Sequence, residues 1–395
     1  MKILFLAHSF PYPPDEGIKL MSYNLIKEFS KKNKVILLSF INQTEKKYIK
    51  NIRNFCEILE TVEHTIPRSF FNRCYNLLFE KNPFFTFQFF SEDFVNKLNK
   101  LIDETKPDVI HFDFIDTIMY IDYIKKDIPC IFFPHDAFSM YLYGNISGEK
   151  KLFRKFYTFL QYKRTVRYEK IMLPKFDKIV VVSPRDKQWL NKLLPDINIS
   201  VIPNGVDCDY FKPMDIEKDH PSLIFRGIMD FLPNVDAVVY FYNVIFPLIK
   251  KRIPEIKFYI VGKNPTKEIL KFSKDNSVIV TGYVEDIRPY LAKSTVNVCP
   301  MRIGSGIKNK ILESMAMGVP SVATSIACAG IDVKDGENIF IADTPIDFVN
   351  RVCMLINNKD LWKIISKNSR EFVIKNYTWK RAAENFEKIY REAIC

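Results

Sequence analysis

Glycine is scarce in this chain, with 12 residues among 395. A cluster of glycines therefore marks a place where the backbone needs a conformation or a clearance that other residues do not allow. Histidine is scarcer still, with five residues, and none stands in H-E-x-x-H or beside a cysteine at zinc-ligand spacing. The eight cysteines are Cys56, Cys74, Cys130, Cys208, Cys299, Cys328, Cys353 and Cys395, with no C-x-x-C pair among them. Several lie in apolar runs, so they read as reduced, mostly buried thiols of a cytoplasmic protein. No stretch approaches 18 uninterrupted apolar residues, and no transmembrane helix is expected. The opening run, residues 1–8, is too short for a signal core and meets Pro11, Pro13 and Pro14 at once; it reads as a first buried strand. G-x-x-x-x-G-K-[ST], G-x-G-x-x-G and a nucleophile elbow are all missing.

Hydrophobic residues make up 47% of the chain, enough for full-sized cores, and the length suggests two domains. The formal charge is +12. Such a balance favours polyanionic partners, although a Lys-, Ile-, Asn- and Phe-rich base composition explains it equally well. No recognition helix or RNA-binding motif accompanies the charge, so nucleic acid is not an expected partner.

Short apolar strands alternate with longer amphipathic stretches. Strands are expected at 2–7, 35–40, 109–112, 130–134, 178–183, 223–227, 257–261, 277–280, 296–299, 320–323 and 338–341. Helices are expected at 18–31, 94–104, 152–170, 235–251, 307–317 and 346–357. This alternation means parallel sheets covered on both faces, an α/β class. The pattern breaks once, from Pro203-Asn204-Gly205-Val206-Asp207 to Phe211-Lys212-Pro213, where a hinge is expected. The domains then run 1–211 and 212–377, with a C-terminal helix at 378–395 returning to the first. Ligands of such folds bind beyond the carboxyl ends of the strands.

The most informative segment is residues 299–320, Cys-Pro-Met-Arg-Ile-Gly-Ser-Gly-Ile-Lys-Asn-Lys-Ile-Leu-Glu-Ser-Met-Ala-Met-Gly-Val-Pro. A strand ends at Pro300, and the turn Gly304-Ser305-Gly306 brings backbone close to whatever lies above the sheet. A helix follows from about Ile307 to Gly318, and its N-terminus suits a diphosphate. Arg302, Lys308 and Lys310 add positive charge, and Glu313 is placed to accept two hydrogen bonds from a ribose diol. The alternative is a tight turn with solvated lysines.

This segment resembles the donor site of retaining family-4 glycosyltransferases with the GT-B fold. The resemblance extends along nearly the whole chain through Val181-Val182-Ser183-Pro184, Ile202-Pro203-Asn204-Gly205-Val206-Asp207, Phe225-Arg226-Gly227-Ile228-Met229-Asp230, Ile260-Val261-Gly262, Thr281-Gly282-Tyr283-Val284 and the block from Glu313 to Pro320. It implies two Rossmann-like, doubly wound domains facing a central cleft. It also implies transfer from a nucleoside-diphosphate sugar to a saccharide or lipid-linked acceptor with retention, no required metal and no cofactor besides the donor. Donor contacts are then expected from Gly17, Tyr283, Val284, Arg302, Gly304, Ser305, Gly306, Ile307, Lys308, Lys310 and Glu313. Two departures stand out. Ser305 occupies a position where many members carry Glu, and Ile228 and Asn234 stand where many carry an Arg and a Lys on the diphosphate. A non-catalytic nucleotide-sugar-binding member and another GT-B enzyme such as an epimerase remain as alternatives.

In similar enzymes a histidine at the place of His135, after the strand at 130–134, contacts the transferred sugar; it is the expected catalytic residue. His111 reads as structural, and His8, His64 and His220 stand in no motif. Gly17 opens the first helix, where relatives bend a loop over the diphosphate. Asp207-Cys208-Asp209 matches the D-x-D of metal-dependent transferases but falls in the hinge. Residues 152–175 are basic and aromatic. The expectation is a helix whose Phe153, Phe156, Tyr157 and Leu160 stripe packs on the first domain, leaving Lys150, Lys151 and other basic residues for a weak, salt-sensitive, peripheral contact with an anionic membrane.

Overall fold

The computed structural model describes all residues except 15, 65–75, 77–79, 125–126, 149–150, 305 and 395, and the side chains of 147 and 148. Cys74, Lys150, Ser305 and Cys395 therefore lie outside the described residues. The chain forms two compact units, Met1–Pro203 with Trp379–Cys395, and Asn204–Thr378. The division falls after Pro203 rather than after 211. Segment 204–211 belongs to the second unit because Val206 N–H donates to the Tyr377 carbonyl and Phe211 packs against that unit's core.

The first unit is built on β1 (Lys2–Ala7), β2 (Lys34–Ile41), β3 (Ile58–Glu63), β4 (Val109–Asp113), β5 (Cys130–His135), β6 (Lys178–Val181) and β7 (Ile199–Val201), ordered β3-β2-β1-β4-β5-β6-β7. The second uses β8 (Ser222–Arg226), β9 (Lys257–Val261), β10 (Val278–Gly282), β11 (Val296–Cys299), β12 (Ser321–Ala323) and β13 (Phe340–Ile341), ordered β10-β9-β8-β11-β12-β13. Every strand pairing is parallel. Both sheets carry the doubly wound order, with the direction in which strands are added reversing between β1 and β4 in one and between β8 and β11 in the other. Central strands such as β1 and β8 are apolar throughout because helices cover both faces.

β3 and β7 were not expected from the sequence. β3 reads Ile-Leu-Glu-Thr-Val-Glu and is only partly buried, as suits an edge strand, and β7 has three residues. The helix expected at 235–251 runs from Leu232 to Arg252 with a wider π turn at Phe241–Ile245. By length and composition this stretch is apolar enough to cross a membrane, contrary to the reading from uninterrupted runs. Its Ala237, Val238, Phe241, Ile245, Phe246 and Ile249 nevertheless form part of the second unit's core.

The C-terminal helix, Trp379–Ile394, buries Trp379, Ala382, Ala383, Phe386 and Tyr390, one face at helical spacing. Phe386 meets Phe29 and Phe133 at 6.2 and 5.0 Å between ring centres, and Asn33 donates to Glu387 at 2.7 Å. The described cysteines are free thiols, and burial pushes those of Cys56, Cys130 and Cys328 up to about 12.

Gly262 and Gly17 make opposite demands. A Cβ on Gly262 would lie 1.7 Å from the Gly227 carbonyl oxygen, where the ends of β8 and β9 approach each other. Around Gly17 nothing lies within 4 Å. Gly262→Ala should therefore destabilise the protein by about 3 kcal/mol or more. Gly17→Ala should stay within about 0.5 kcal/mol of the parent. Urea unfolding of the two variants checks both values.

Candidate functional site

The reversal point of the second sheet gathers a cluster of charged groups. β8 ends on Arg226; beside it β11 ends on Cys299, and the chain then passes Gly304 and Gly306 into the helix Asn309–Ala316. Gly304 and Gly306 take φ values of 137° and 66°, conformations that an L side chain resists. This turn, with Lys308 in an extended cap, starts the helix at Asn309 rather than at Ile307. Ile307 packs against the core, and the Lys308 ammonium donates to the Gly306 carbonyl at 3.0 Å.

Arg226 forms an ion pair with Glu313, and both side chains are nearly covered. The contact lacks hydrogen-bond geometry, and Arg226 Nε is buried with no partner. One turn earlier on the same helix, the Lys310 ammonium lies 4.3 Å from the centre of the Phe225 ring and donates to Asn234 Oδ1 at 2.7 Å. Asn234 is fixed in turn by its Nδ2 donating to the Ile228 carbonyl at 2.9 Å. Burial lowers Lys310 to about 8, with repulsion from Arg226 and Lys308 adding to it, and lowers Arg226 to about 10. Arg226, Lys308 and Lys310 are thus close enough to repel one another, and of the three Arg226 pairs with Glu313, at a position where doubly wound sheets receive ligands.

Arg226 and Asn234 were not among the residues expected from the sequence. Arg226 reads as an ordinary strand residue, and Asn234 reads as the loss of a lysine. In the structure Asn234 holds Lys310, a lysine contributed by another element. Arg302 does not join this group. Its guanidinium is bidentate to Asp236, with Nε to Oδ2 at 3.0 Å, and lies over the Tyr240 ring at 4.3 Å. Val284 packs against apolar residues around Leu291, whereas Tyr283 is exposed. Asp207 of the D-x-D tripeptide accepts from the backbone of Asp209 and Tyr210 and closes a turn.

In the first unit, His135 closes β5 with φ of 66°. It is buried, and its Nε2 lies 2.7 Å from Asp113 Oδ1 at the end of β4. Asp113 Oδ2 accepts from the Ser22 hydroxyl. Burial opposes the charge on Asp113, but His135 and His111 outweigh it and hold the carboxyl well below the usual range. Nδ1 of His135 is buried without a partner. Next to it Phe114 takes φ of 76°, so two non-glycine residues in the left-handed region stand at neighbouring strand ends. His8, just beyond β1, places Nδ1 3.1 Å from Asp116 Oδ2, and its ring is 4.9 Å from that of Phe114. His111 is structural: Phe5 stacks on it at 4.3 Å, and it shares a 2.7 Å hydrogen bond with Tyr390. Asp113 and Asp116 were not singled out in the sequence, and His8 stood in no motif, because these residues meet only across separate elements of the fold.

Two doubly wound units, each with polar groups gathered where strand order reverses, define the GT-B architecture. Residues 23–210 match the model for Glycosyltransferase Family 4, and residues 220–358 match that for Glycosyl transferases group 1. The chain belongs to the family-4 glycosyltransferases. An uncharacterized 44.6 kDa protein in the cps region of Klebsiella pneumoniae is 25% identical over 272 residues, covering 65% of this chain and 66% of its own. The match thus spans about two thirds of that relative's length. A UDP-Gal:alpha-D-GlcNAc-diphosphoundecaprenol alpha-1,3-galactosyltransferase of Escherichia coli is 24% identical over 236 residues, 55% of this chain and 60% of its own. Among solved structures, Anabaena HepE in complex with UDP and glucose has the same fold, with a TM-score of 0.67 at 14% identity over 99% of this chain and 100% of that one.

The depressed pKa of Asp113 sets the sign of one pH effect. Its contact with His135 contributes stability above the ordinary carboxyl value of about 3.8, and this is lost as pH falls toward the lower folded value. Asp113→Asn should be less stable than the parent at neutral pH, and the gap should shrink as the solution is acidified below about pH 4. Thermal unfolding of both proteins across that range measures the gap.

Proposed function

We propose that this protein transfers a sugar from a nucleoside-diphosphate sugar to a saccharide or lipid-linked acceptor, with retention at the anomeric carbon and no required metal. The observation that carries this reading is the cluster of Arg226, Lys308 and Lys310, in which Arg226 alone is paired with a carboxylate, that of Glu313. A diphosphate carries the negative charge that such a group lacks. The Gly304 and Gly306 backbone and the start of the Asn309–Ala316 helix would add N–H donors. Glu313 would exchange Arg226 for the ribose diol, freeing the guanidinium for phosphate.

As the glycosidic bond breaks, charge builds on the leaving diphosphate, and preorganised cations stabilise it most at that moment. The acceptor would attack from the face the diphosphate leaves, and a phosphate oxygen would take its proton. His135, oriented by Asp113, would contact the donor sugar. The UDP in the HepE structure and the diphosphoundecaprenol acceptor of the Escherichia coli enzyme support this class of substrates. The cps-region relative supports a role in polysaccharide biosynthesis, and an acceptor on a lipid would place the enzyme at the cytoplasmic face of a membrane.

Titration calorimetry with UDP, GDP and dTDP, each beside its nucleoside, tests the site. Lys310→Gln should weaken the bound diphosphate about tenfold or more and leave the nucleoside unaffected. Glu313→Gln should weaken both. Because free Lys310 loses its proton near pH 8, affinity for the diphosphate should fall as pH rises through about 8. The reading is wrong if none of the three diphosphates binds, or if Lys310→Gln binds them like the parent. With the donor so identified, a product formed without any acceptor would mark an epimerase, and no turnover with any acceptor a binding protein.

A further inference from the structure

The helix Leu152–Met172 packs on the first unit through a face that the sequence does not suggest. Its buried residues are Gln161, Thr165, Tyr168, Glu169 and Met172, none of them in the first nine positions of the helix. Polar partners make this face compatible with burial. Gln161 accepts from the Phe84 N–H at 2.9 Å and donates to Asn76 Oδ1 at 3.2 Å, and Glu169 accepts from the Ser139 N–H at 3.1 Å. Of the expected Phe153, Phe156, Tyr157 and Leu160 stripe, Tyr157 and Leu160 are half-buried, whereas Phe153 and Phe156 are exposed. Leu152, Phe153, Phe156 and Phe159 are 85%, 64%, 59% and 44% exposed.

Leu152, Phe156, Phe159, Lys163, Arg167 and Lys170 follow spacings of three or four and line the side of the helix opposite its buried residues. The outward side is thus apolar at its tip and basic along its shaft. Between 137 and 168 the single acidic residue is Glu149, against six basic residues from Lys151 to Arg167.

We propose that this helix is a membrane-docking element whose apolar tip enters an anionic lipid surface while its basic shaft meets the headgroups. Clustered exposed aromatic and aliphatic side chains of this size are costly in water. Beside them, long cationic side chains reach phosphate oxygens while their stems stay in the apolar layer. A second copy of the chain fits poorly, since a two-fold contact through this patch would set like charges against each other. Contact is therefore part hydrophobic, and salt reduces it without abolishing it. This differs from the purely electrostatic contact that a packed aromatic stripe would give.

The test uses the full chain with vesicles of phosphatidylcholine, alone or mixed with phosphatidylglycerol, at low and high salt. The parent should co-sediment with the mixed vesicles at low salt and keep part of that binding at high salt. Phe153→Ser combined with Phe156→Ser should lower partitioning at least tenfold at high salt with an unchanged unfolding midpoint, because both residues are exposed. Lys163→Gln and Arg167→Gln should each lower partitioning into mixed vesicles about fivefold at low salt. In Phe156→Trp, the fluorescence should shift to the blue with mixed vesicles. Absence of binding to mixed vesicles at low salt overturns the proposal. So does parental binding by the double serine variant, or self-association lost in that variant without vesicle binding. UDP binding, measured in parallel, is independent of these results and separates failure here from failure of the transferase reading.

Discussion

Arg226 and Lys310 carry two positive charges into a dry corner beside the half-buried Lys308, and Glu313 returns one negative charge, to Arg226. Leaving water is expensive for such groups, and the chain spends several structural devices on keeping them there. The order of the second sheet sets the ends of β8 and β11 side by side. Two glycines with positive φ turn the backbone under the cations. Asn234, fixed by a carbonyl, holds the Lys310 ammonium in a direction that a solvated lysine would not keep. Burial then weakens the hold of Lys310 on its own proton. These features make sense together if the missing negative charge arrives with a ligand.

The first unit solves the complementary problem of keeping imidazoles in place. His135 and His8 each sit at a strand end with a carboxylate beside one ring nitrogen, and the Phe114 ring lies between them at 5.4 and 4.9 Å. The unusual φ of His135 and Phe114 is tolerated because both are wedged by neighbours: Phe133 lies 4.4 Å from His135, and Phe114 N–H donates to the Phe133 carbonyl.

Much of this was legible in the sequence where chemistry is written in consecutive residues. The segment from Cys299 to Pro320 shows its strand, turn and helix, and places Lys310 and Glu313 on that helix. What escaped was set by pairing between strands. Arg226 looks like any residue before a glycine until Glu313 reaches it from another element, and Asp113 and Asp116 gain meaning only beside His135 and His8. The helix from Leu152 misled for a different reason. Hydrophobic periodicity assigns the packed face to the aromatics, but hydrogen bonds with Asn76, Phe84 and Ser139 let polar residues take that face, and Phe153, Phe156 and Phe159 were left outside. The edge strand β3 escaped because its glutamates mask the alternation.

The path of the C-terminal helix has a consequence for how the protein is made. Phe386 and Tyr390 complete the packing around Phe29 and His111, yet they leave the ribosome only after the whole second unit. Residues 1–203 therefore spend the synthesis of 175 further residues with one flank of their core uncovered, at a rate of roughly 5–20 residues per second. The second unit, continuous from 204 to 378, can close before the first. The usual order of vectorial folding is thereby reversed, and the nascent first sheet is the part of the chain that most needs a chaperone's shelter.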